Sequence, residues 1–220
     1  MDAENYDTSN RNMVERLRNL GLLKSPLIID AFVNVPRHMF VSDEQLPYAY
    51  SDRPLSIMDE STISQPATVA VMLEALDPKP GNRILEIGTG SGWQTCLLAY
   101  CVGYAGTVIS IEINKGVFKI GKKNIGMSGF DNIKMILGDG SEGYSRAAPY
   151  DRIIFTAAAP AIPNNIIGQL KVGGRLLIPV SRTSLAQRLI AIDRTSEAYT
   201  EEKDFGDFVF VPLRGKGGYQ

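Results

Sequence analysis

The sequence has few of the residues that most often carry nucleophilic, metal and redox chemistry. It contains two cysteines, Cys96 and Cys101, and one histidine, His38, in 220 residues. No Cys/His cluster with metal-ligand spacing occurs, so we expect no metal site. The cysteines are five positions apart on one predicted helix and point to faces roughly 140° apart, which excludes a bond between them there. We interpret them as buried free thiols, and His38, beside Arg37, as a structural or surface residue.

The sequence also lacks a strong charge of either sign and any long hydrophobic run. A net charge of −1 argues against a surface built for nucleic acid. No apolar run reaches transmembrane length, and the acidic start M-D-A-E-N-Y-D has no signal-peptide core. We therefore expect a cytoplasmic protein that binds neither nucleic acid nor membrane. Composition leaves the oligomeric state open.

A glycine-rich stretch, I-L-E-I-G-T-G-S-G over Ile84–Gly92, is the most informative segment that is present. Its apolar residues predict a buried parallel strand, and its glycines predict a tight turn where backbone can approach a ligand. A dinucleotide fingerprint would place its third glycine at position 93, which here is Trp93. The spacing therefore disfavours a pyrophosphate ligand, while an ordinary strand-to-helix turn remains a minor alternative.

Strands and helices alternate after a proline- and glycine-rich break near residue 80, which predicts a parallel sheet with crossover helices. We expect a Rossmann-like, doubly wound α/β core over residues 81–220, with an N-terminal helical cap over residues 1–80. Two further strands, Gln187–Asp193 and Phe208–Leu213, predict an antiparallel edge. The predicted core strands are Arg83–Ile87, Val108–Glu112, Ile133–Leu137, Asp151–Thr156 and Leu176–Val180. The predicted helices include Ser9–Leu23, Ala67–Leu76, Trp93–Val102, Lys115–Met127 and Pro163–Leu170, and Pro47–Ile57 is predicted to be a loop.

Ligands in such sheets bind at the carboxyl ends of the strands, and three polar residues fall there. Glu112 ends the second core strand, where a carboxylate can accept both ribose hydroxyls. Asp139 follows the third strand within L-G-D-G and could accept from an adenine amino group, although Asp-Gly is also a common turn pair. Thr156 ends the fourth strand, and the small residues after it leave room for a substrate.

Several motifs occur together in an order that resembles the protein-L-isoaspartate (D-aspartate) O-methyltransferase family, from about Val35 to Leu213. They are V-P-R-H-M-F-V, A-Y-S-D-R-P-L, T-I-S-Q-P, L-E-I-G-T-G-S-G, G-D-G, T-A-A-A-P, G-G-R-L-L-I-P-V and F-V-P-L. The glycine motif is common to many methyltransferases, whereas T-I-S-Q-P and T-A-A-A-P are more specific. The resemblance implies methyl transfer from S-adenosylmethionine to the free α-carboxylate of L-isoaspartyl and D-aspartyl residues in damaged proteins, with S-adenosylhomocysteine as the other product.

The resemblance also implies roles for individual positions. Ser64 matches the active-site serine, while Thr62 and Ile63 lie in the segment that covers the cofactor. The implied cofactor residues are Thr62, Ile63, Glu86, Gly88, Thr89, Gly90, Gly92, Glu112, Asp139 and Gly140. The implied substrate residues are Ser64, Thr156, Ala157, Ala158 and Val211. The family also orders its last two strands differently from the usual methyltransferase sheet.

The sequence departs from the family pattern around the substrate entrance. S-I-M-D-E-S stands where members often have P-I-G-x-G-Q, and Ala67 stands where they often have histidine. Two alternatives therefore stay open: a methyltransferase of another carboxylate or small molecule, and a cofactor-binding protein without catalysis. The lack of a His/Asp or Cys/His constellation fits methyl transfer to an isoaspartyl α-carboxylate. That carboxylate is ionised near pH 7 and needs no strong base.

Overall fold

A computed structural model describes residues 3–181 and 187–219. The helices are α1 (Ala3–Asn19), α2 (Pro26–Asn34), α3 (Pro66–Leu76), α4 (Trp93–Val102), α5 (Lys115–Ser128) and α6 (Asn164–Ile167). The strands are β1 (Leu55–Met58), β2 (Ser61–Ile63), β3 (Arg83–Ile87), β4 (Thr107–Glu112), β5 (Ile133–Leu137), β6 (Tyr150–Phe155), β7 (Leu170–Ser181), β8 (Gln187–Arg194) and β9 (Thr200–Phe208). Short 3-10 turns lie at Arg37–Phe40, Asp43–Tyr48 and Ser145–Ala147.

Seven strands form one sheet in the order β5-β4-β3-β6-β7-β8-β9. The first five of these are mutually parallel, β8 runs antiparallel to β7, and β9 runs antiparallel to β8. This confirms the predicted Rossmann-like, mostly parallel sheet with an antiparallel edge. The chain order reverses at β3, which has β4 on one side and β6 on the other. That reversal is the switch point where such sheets bind ligands.

The central strand β3 is buried because both of its faces are covered. Ile84 belongs to the hydrophobic cluster on the cap side of the sheet. Leu85 and Ile87 belong to a second cluster on the opposite face. Strands covered on both faces need apolar residues at successive positions, which explains the continuous apolar character of this segment.

The N-terminal helices share one core with the sheet. Met13 of α1, Phe32 of α2 and Leu73 of α3 are buried in the same cluster as Leu97 of α4. Phe32 also meets the Trp93 ring edge-on, with centroids 5.4 Å apart. The cap is therefore packed against the helix that follows the glycine turn, while the division into two units at residue 80 stays a prediction.

Several secondary-structure predictions were wrong in part. The first helix spans Ala3–Asn19 and not Ser9–Leu23, and β7 begins at Leu170 and not at Leu176. Residues Pro47–Ile57 do not form a simple loop, because β1 pairs with β2 as a hairpin. The last strand is Thr200–Phe208 and not Phe208–Leu213. This strand is mostly exposed at the sheet edge, and its charged residues are typical of edges that avoid pairing with other chains. The predicted helix Pro163–Leu170 shortens to one turn, because Leu170 already begins β7.

Both cysteines are free and buried, as predicted. His38 is half-buried in the cap. Its ring stacks on Tyr6 with centroids 4.5 Å apart, and its Nδ1 lies 2.6 Å from the Tyr50 hydroxyl. These contacts assign His38 a packing role within the cap.

Candidate active site

A cavity of about 840 Å³ opens at the carboxyl ends of β3, β4 and β6. This volume is in the range of sites for small-molecule cofactors. Its walls come from the glycine turn, the loop after β4, the β1–β2 hairpin with the start of α3, and the chain after β9. The sequence-predicted residues that line it are Thr62, Ile63, Ser64, Gly88, Thr89, Gly90, Glu112, Gly140, Thr156, Ala157 and Val211. Residues predicted to bind the methyl donor and residues predicted to bind the methyl acceptor therefore line the same cavity.

The glycine turn uses backbone conformations that other residues rarely adopt. Gly88, Gly90 and Gly92 have φ values of 98°, 56° and 89°. A Cβ on Gly90 would stand 3.7 Å from Ile57 Cδ1 and 3.9 Å from the Thr62 carbonyl oxygen, in the space between turn and hairpin. A side chain there would fill the cradle, so glycine keeps the space free for a ligand.

Gly92 allows α4 and α5 to pack closely and does not form part of the cavity wall. It is the N-cap of α4, and a Cβ there would come within 2.8 Å of Ile125 Cγ1 on α5. Its absence from the cavity lining places it behind the turn. A direct contact of Gly92 with the cofactor stays a prediction, and the structure shows only that Gly92 lets α4 pack against α5.

Glu112 is held by backbone amides at the cavity wall. Its Oε2 accepts from the Gly90 amide and its Oε1 from the Asn114 amide, each at 3.0 Å. The side chain is nearly buried yet lines the cavity. Each carboxylate oxygen can accept a further hydrogen bond, so Glu112 is a pre-positioned acceptor for a pair of hydroxyls.

Glu86 lies behind the glycine turn and does not line the cavity. Its carboxyl accepts from Thr95 at 2.5 Å, Ser110 at 2.7 Å and Gln94 at 3.3 Å. Complete burial raises the pKa of Glu86 to about 7, and the three donors only partly offset it. In this geometry Glu86 ties the start of α4 to β4 beneath the turn.

Asp139 is exposed and bonded to the C-terminal segment. Its Oδ1 accepts from the Ser141 amide at 2.8 Å and its Oδ2 from the Lys216 amide at 2.7 Å. Partial burial opposes the effect, but these hydrogen bonds hold the pKa of Asp139 below its ordinary value. Asp139 does not line the cavity, whereas its neighbour Gly140 does.

Ser64 lies where the covering hairpin passes into α3. The segment before it is fixed by Arg37, whose guanidinium is fully buried and donates to the carbonyls of Ala49, Arg53, Ile63 and Ser64. Burial lowers the pKa of Arg37 to about 10, so it remains charged at neutral pH.

The segment after Ser64 is fixed by Asp52. Its carboxylate accepts from the Gln65 side chain at 3.1 Å and from the Ala67 amide at 2.9 Å, at the start of α3. Ser64 is thus held from both directions along the chain.

The wall that the sequence predicts for the substrate is formed by the chain after β6 and the chain after β9. The cavity is lined directly by Thr156, Ala157 and Val211. Ala158 is buried outside the lining, where its amide donates to the Val211 carbonyl at 2.8 Å. Ala158 therefore places Val211, and the predicted wall is made by backbone pairing between two distant segments.

The structure adds cavity residues that the sequence reasoning missed. Asn114 lines the cavity and caps α5, with its side chain accepting from the Gly116 and Val117 amides. The preference of asparagine for helix N-caps could have identified it. Phe208 and Arg214 also line the cavity, and no local pattern predicts either one.

The described residues contain neither a metal-binding cluster nor a membrane-spanning helix. Across residues 3–181 and 187–219, no group of three or more His, Cys, Asp or Glu side chains is arranged to hold a metal ion. Within the same ranges, no helix is both long and apolar enough to cross a membrane.

The sheet order, the glycine turn and the carboxylate at the end of β4 define a nucleoside-binding enzyme of the Rossmann-like methyltransferase class. Comparison with solved structures supports this class. One, a protein-L-isoaspartate O-methyltransferase, has a TM-score of 0.85 and 30% identity, covering 94% of this chain and 66% of that one. Another, a Plasmodium falciparum structure in complex with S-adenosyl-L-homocysteine, has a TM-score of 0.82 at 24% identity, covers 93% of this chain and 98% of that one, and shares the fold.

Sequence comparison specifies the family. The model of the protein-L-isoaspartate (D-aspartate) O-methyltransferases matches residues 8–218. The Pyrococcus horikoshii protein-L-isoaspartate O-methyltransferase is 42% identical over 220 residues, covering 100% of this chain and 99% of that protein. The chain belongs to the protein-L-isoaspartate (D-aspartate) O-methyltransferase family.

Proposed function

We propose that this chain transfers a methyl group from S-adenosylmethionine to the free α-carboxylate of L-isoaspartyl and D-aspartyl residues in damaged proteins. The observation that carries this proposal is that Ser64 shares one cavity with the glycine turn and Glu112. The family match supplies the substrate class. The protein would act in the cytoplasm on damaged proteins and peptides.

The donor side fits a nucleoside with a cationic methyl-bearing sulfur. Glu112 offers two oriented carboxylate oxygens for ribose hydroxyls, and Gly90 leaves the space above the turn open. Thr62 and Ile63 of the hairpin close that space from the other side. S-adenosylmethionine supplies an activated methyl group on a sulfonium, without a phosphate that the turn would have to bind.

Gly140 and Asp139 support the adenine end in different ways. Gly140 lines the cavity, and a Cβ there would come within 3.2 Å of Ile111 and Ile87. Asp139 holds the loop to the Lys216 amide. We assign Asp139 the positioning of this wall, and its carboxylate oxygens keep capacity for one more donor each.

The acceptor side needs orientation rather than a strong base. The substrate α-carboxylate is ionised near neutral pH and can attack a methyl group directly. The Ser64 hydroxyl donates a hydrogen bond to that carboxylate and so fixes the direction from which the carboxylate approaches the methyl group. Thr156, Ala157 and Val211 wall the site and limit water. Alignment and water exclusion are the contributions that enzymes make to such a displacement.

The product ester explains how methylation repairs the protein. The neighbouring backbone nitrogen attacks the ester carbonyl carbon, and the C–N bond of a succinimide forms as the C–O bond breaks and methanol leaves. A free carboxylate would have to expel hydroxide or oxide, which are much poorer leaving groups. Hydrolysis of that ring returns part of the material to normal aspartate. These later steps need no residue of the enzyme.

A peptide pair tests the proposal. The protein is incubated with labelled S-adenosylmethionine and two peptides that differ only in one isoaspartyl or aspartyl linkage. We expect base-labile label on the isoaspartyl peptide alone. Label on both peptides would indicate a different carboxylate specificity, and label on neither would reject the proposal in favour of a non-catalytic role.

A serine substitution tests the role of Ser64. Removing one oriented hydrogen bond in the Ser64→Ala variant should lower kcat by about 10-fold, with little change in the Kd for S-adenosylhomocysteine. Ser25→Ala is the matched control, because Ser25 bonds to Glu74 in the cap, away from the cavity lining. An unchanged kcat in Ser64→Ala would remove Ser64 from the mechanism.

A further inference from the structure

The guanidinium of Arg37 is fully buried and makes more hydrogen bonds than packing of the cap alone requires. Arginine is among the residues least often fully buried unless paired. Within residues 3–181 and 187–219, no carboxylate forms an ion pair with Arg37 at 4.0 Å or less. Its hydrogen bonds go instead to backbone carbonyls from two separate segments of the chain, the loop before β1 and the end of β2.

Two of those carbonyls belong to Ser64 and to Ile63, the residue before it. Nη2 of Arg37 lies 3.1 Å from the Ser64 carbonyl oxygen and 3.4 Å from that of Ile63. A planar guanidinium fixes several acceptors in one geometry, which a lysine ammonium does not. The backbone of Ser64 is therefore tied to Arg37 itself, and its hydroxyl follows.

The other side of Arg37 is tied to the glycine turn. Its guanidinium carbon lies 5.4 Å from the centre of the Trp93 ring, within the range of cation–π contact. Trp93 follows Gly92 directly, and its Nε1 donates to the Val35 carbonyl at 3.0 Å, two residues before Arg37. Arg37 thus connects the helix of the donor turn to the segment that carries Ser64.

We propose that Arg37 is a positioning residue that sets the distance between Ser64 and the glycine turn, with Asp52 fixing the other side of Ser64. This inference rests on the proposed function and deepens it. Neither residue lines the cavity, so Arg37 acts through Ser64 and not on the substrate. A misplacement of about 1 Å can cost roughly 100-fold in rate. A buried link that fixes the position of Ser64 can therefore affect the rate of methyl transfer.

The test is a double-mutant cycle on kcat. Arg37→Lys should lower kcat by up to about 10-fold in the wild-type background, with a much smaller change in the Kd for S-adenosylhomocysteine. The loss should not exceed that of Ser64→Ala, because Arg37 acts through Ser64. In the Ser64→Ala background the same substitution should have little further effect, because the group that Arg37 positions is gone. A role in stability alone would give the same factor in both backgrounds.

Asp52→Asn provides a second route if Arg37→Lys does not fold, and it should show the same non-additivity with Ser64→Ala. Glu74→Gln is the control, because Glu74 anchors Ser25 and Lys24 in the cap without lining the cavity. It should leave kcat unchanged at temperatures where all variants are folded.

The outcomes separate this inference from the proposed function. An inactive wild-type protein rejects the function itself. An active wild type with an equally active, folded Arg37→Lys rejects only the positioning role. Strictly additive losses in the cycle also reject it.

Discussion

The carboxyl of Glu86 beneath the glycine turn makes stability depend on pH in a specific way. The side chain is fully buried among Thr95, Ser110 and Gln94, and burial raises its pKa from 4.5 to about 7. Glu86→Gln removes the ionisation and keeps the size of the side chain. The amide oxygen can accept from the two hydroxyls, and its NH₂ group can face a reoriented Gln94.

The sign of the pH dependence follows from how tightly the folded and the unfolded protein bind this proton. Because the folded pKa is raised, the folded protein holds this proton more tightly than the unfolded chain. The contribution of Glu86 to stability is therefore fully present below about pH 4.5 and is lost as the pH rises to about 7. A shift from 4.5 to about 7 corresponds to about 3 kcal/mol in total. Between about pH 5.5 and about pH 8.5, roughly 2 kcal/mol of this should disappear.

Chemical denaturation across that range measures the effect. The free energy of unfolding of the wild type should fall relative to Glu86→Gln by about 2 kcal/mol from the acidic to the basic end. Glu74→Gln controls for the loss of a carboxylate elsewhere in the fold, since Glu74 bonds to Ser25 and Lys24 in the cap. Parallel curves for wild type and Glu86→Gln would refute the reasoning, because they would mean that Glu86 ionises with the same pKa in both states.

Further predictions concern the donor side of the cavity. Glu112→Ala should weaken S-adenosylhomocysteine binding by about 10- to 100-fold in calorimetry, because it removes a charged acceptor that two backbone amides orient. An unaltered affinity would reject the ribose assignment. The protein has one tryptophan, Trp93, and it lines the cavity. Its fluorescence should therefore change in a saturable way with S-adenosylhomocysteine, and a flat titration at concentrations where calorimetry shows binding would contradict the placement.

Much of the core could be predicted from local pattern. β3, α4 and β5 begin and end at the predicted residues, because buried parallel strands and the helices between them have strong periodicity. β9 was placed too late, since an exposed edge strand carries charge instead of an apolar pattern. Residues 209–214 are not part of that strand and line the cavity, and Pro212 among them pairs with Ala158 in the chain after β6.

The candidate site was predictable where residues are close in sequence to the glycine turn or the strand ends. Glu112 and Gly90 meet as their positions suggested. The burial of Glu86 behind the turn depends on Ser110 of the neighbouring strand, and the contact between Asp139 and Lys216 spans 77 positions. Such contacts follow from tertiary packing, which no local pattern records.

The Thr156 side chain contacts the glycine turn and also borders the wall that we propose for the methyl acceptor. Its Oγ1 donates to the Gly88 carbonyl at 2.7 Å, and a Cβ on Gly88 would overlap that oxygen. The same residue borders the acceptor wall before Ala157. Any substitution at position 156 that reshapes the acceptor pocket therefore also disturbs the donor turn. We therefore expect positions 88 and 156 to vary together.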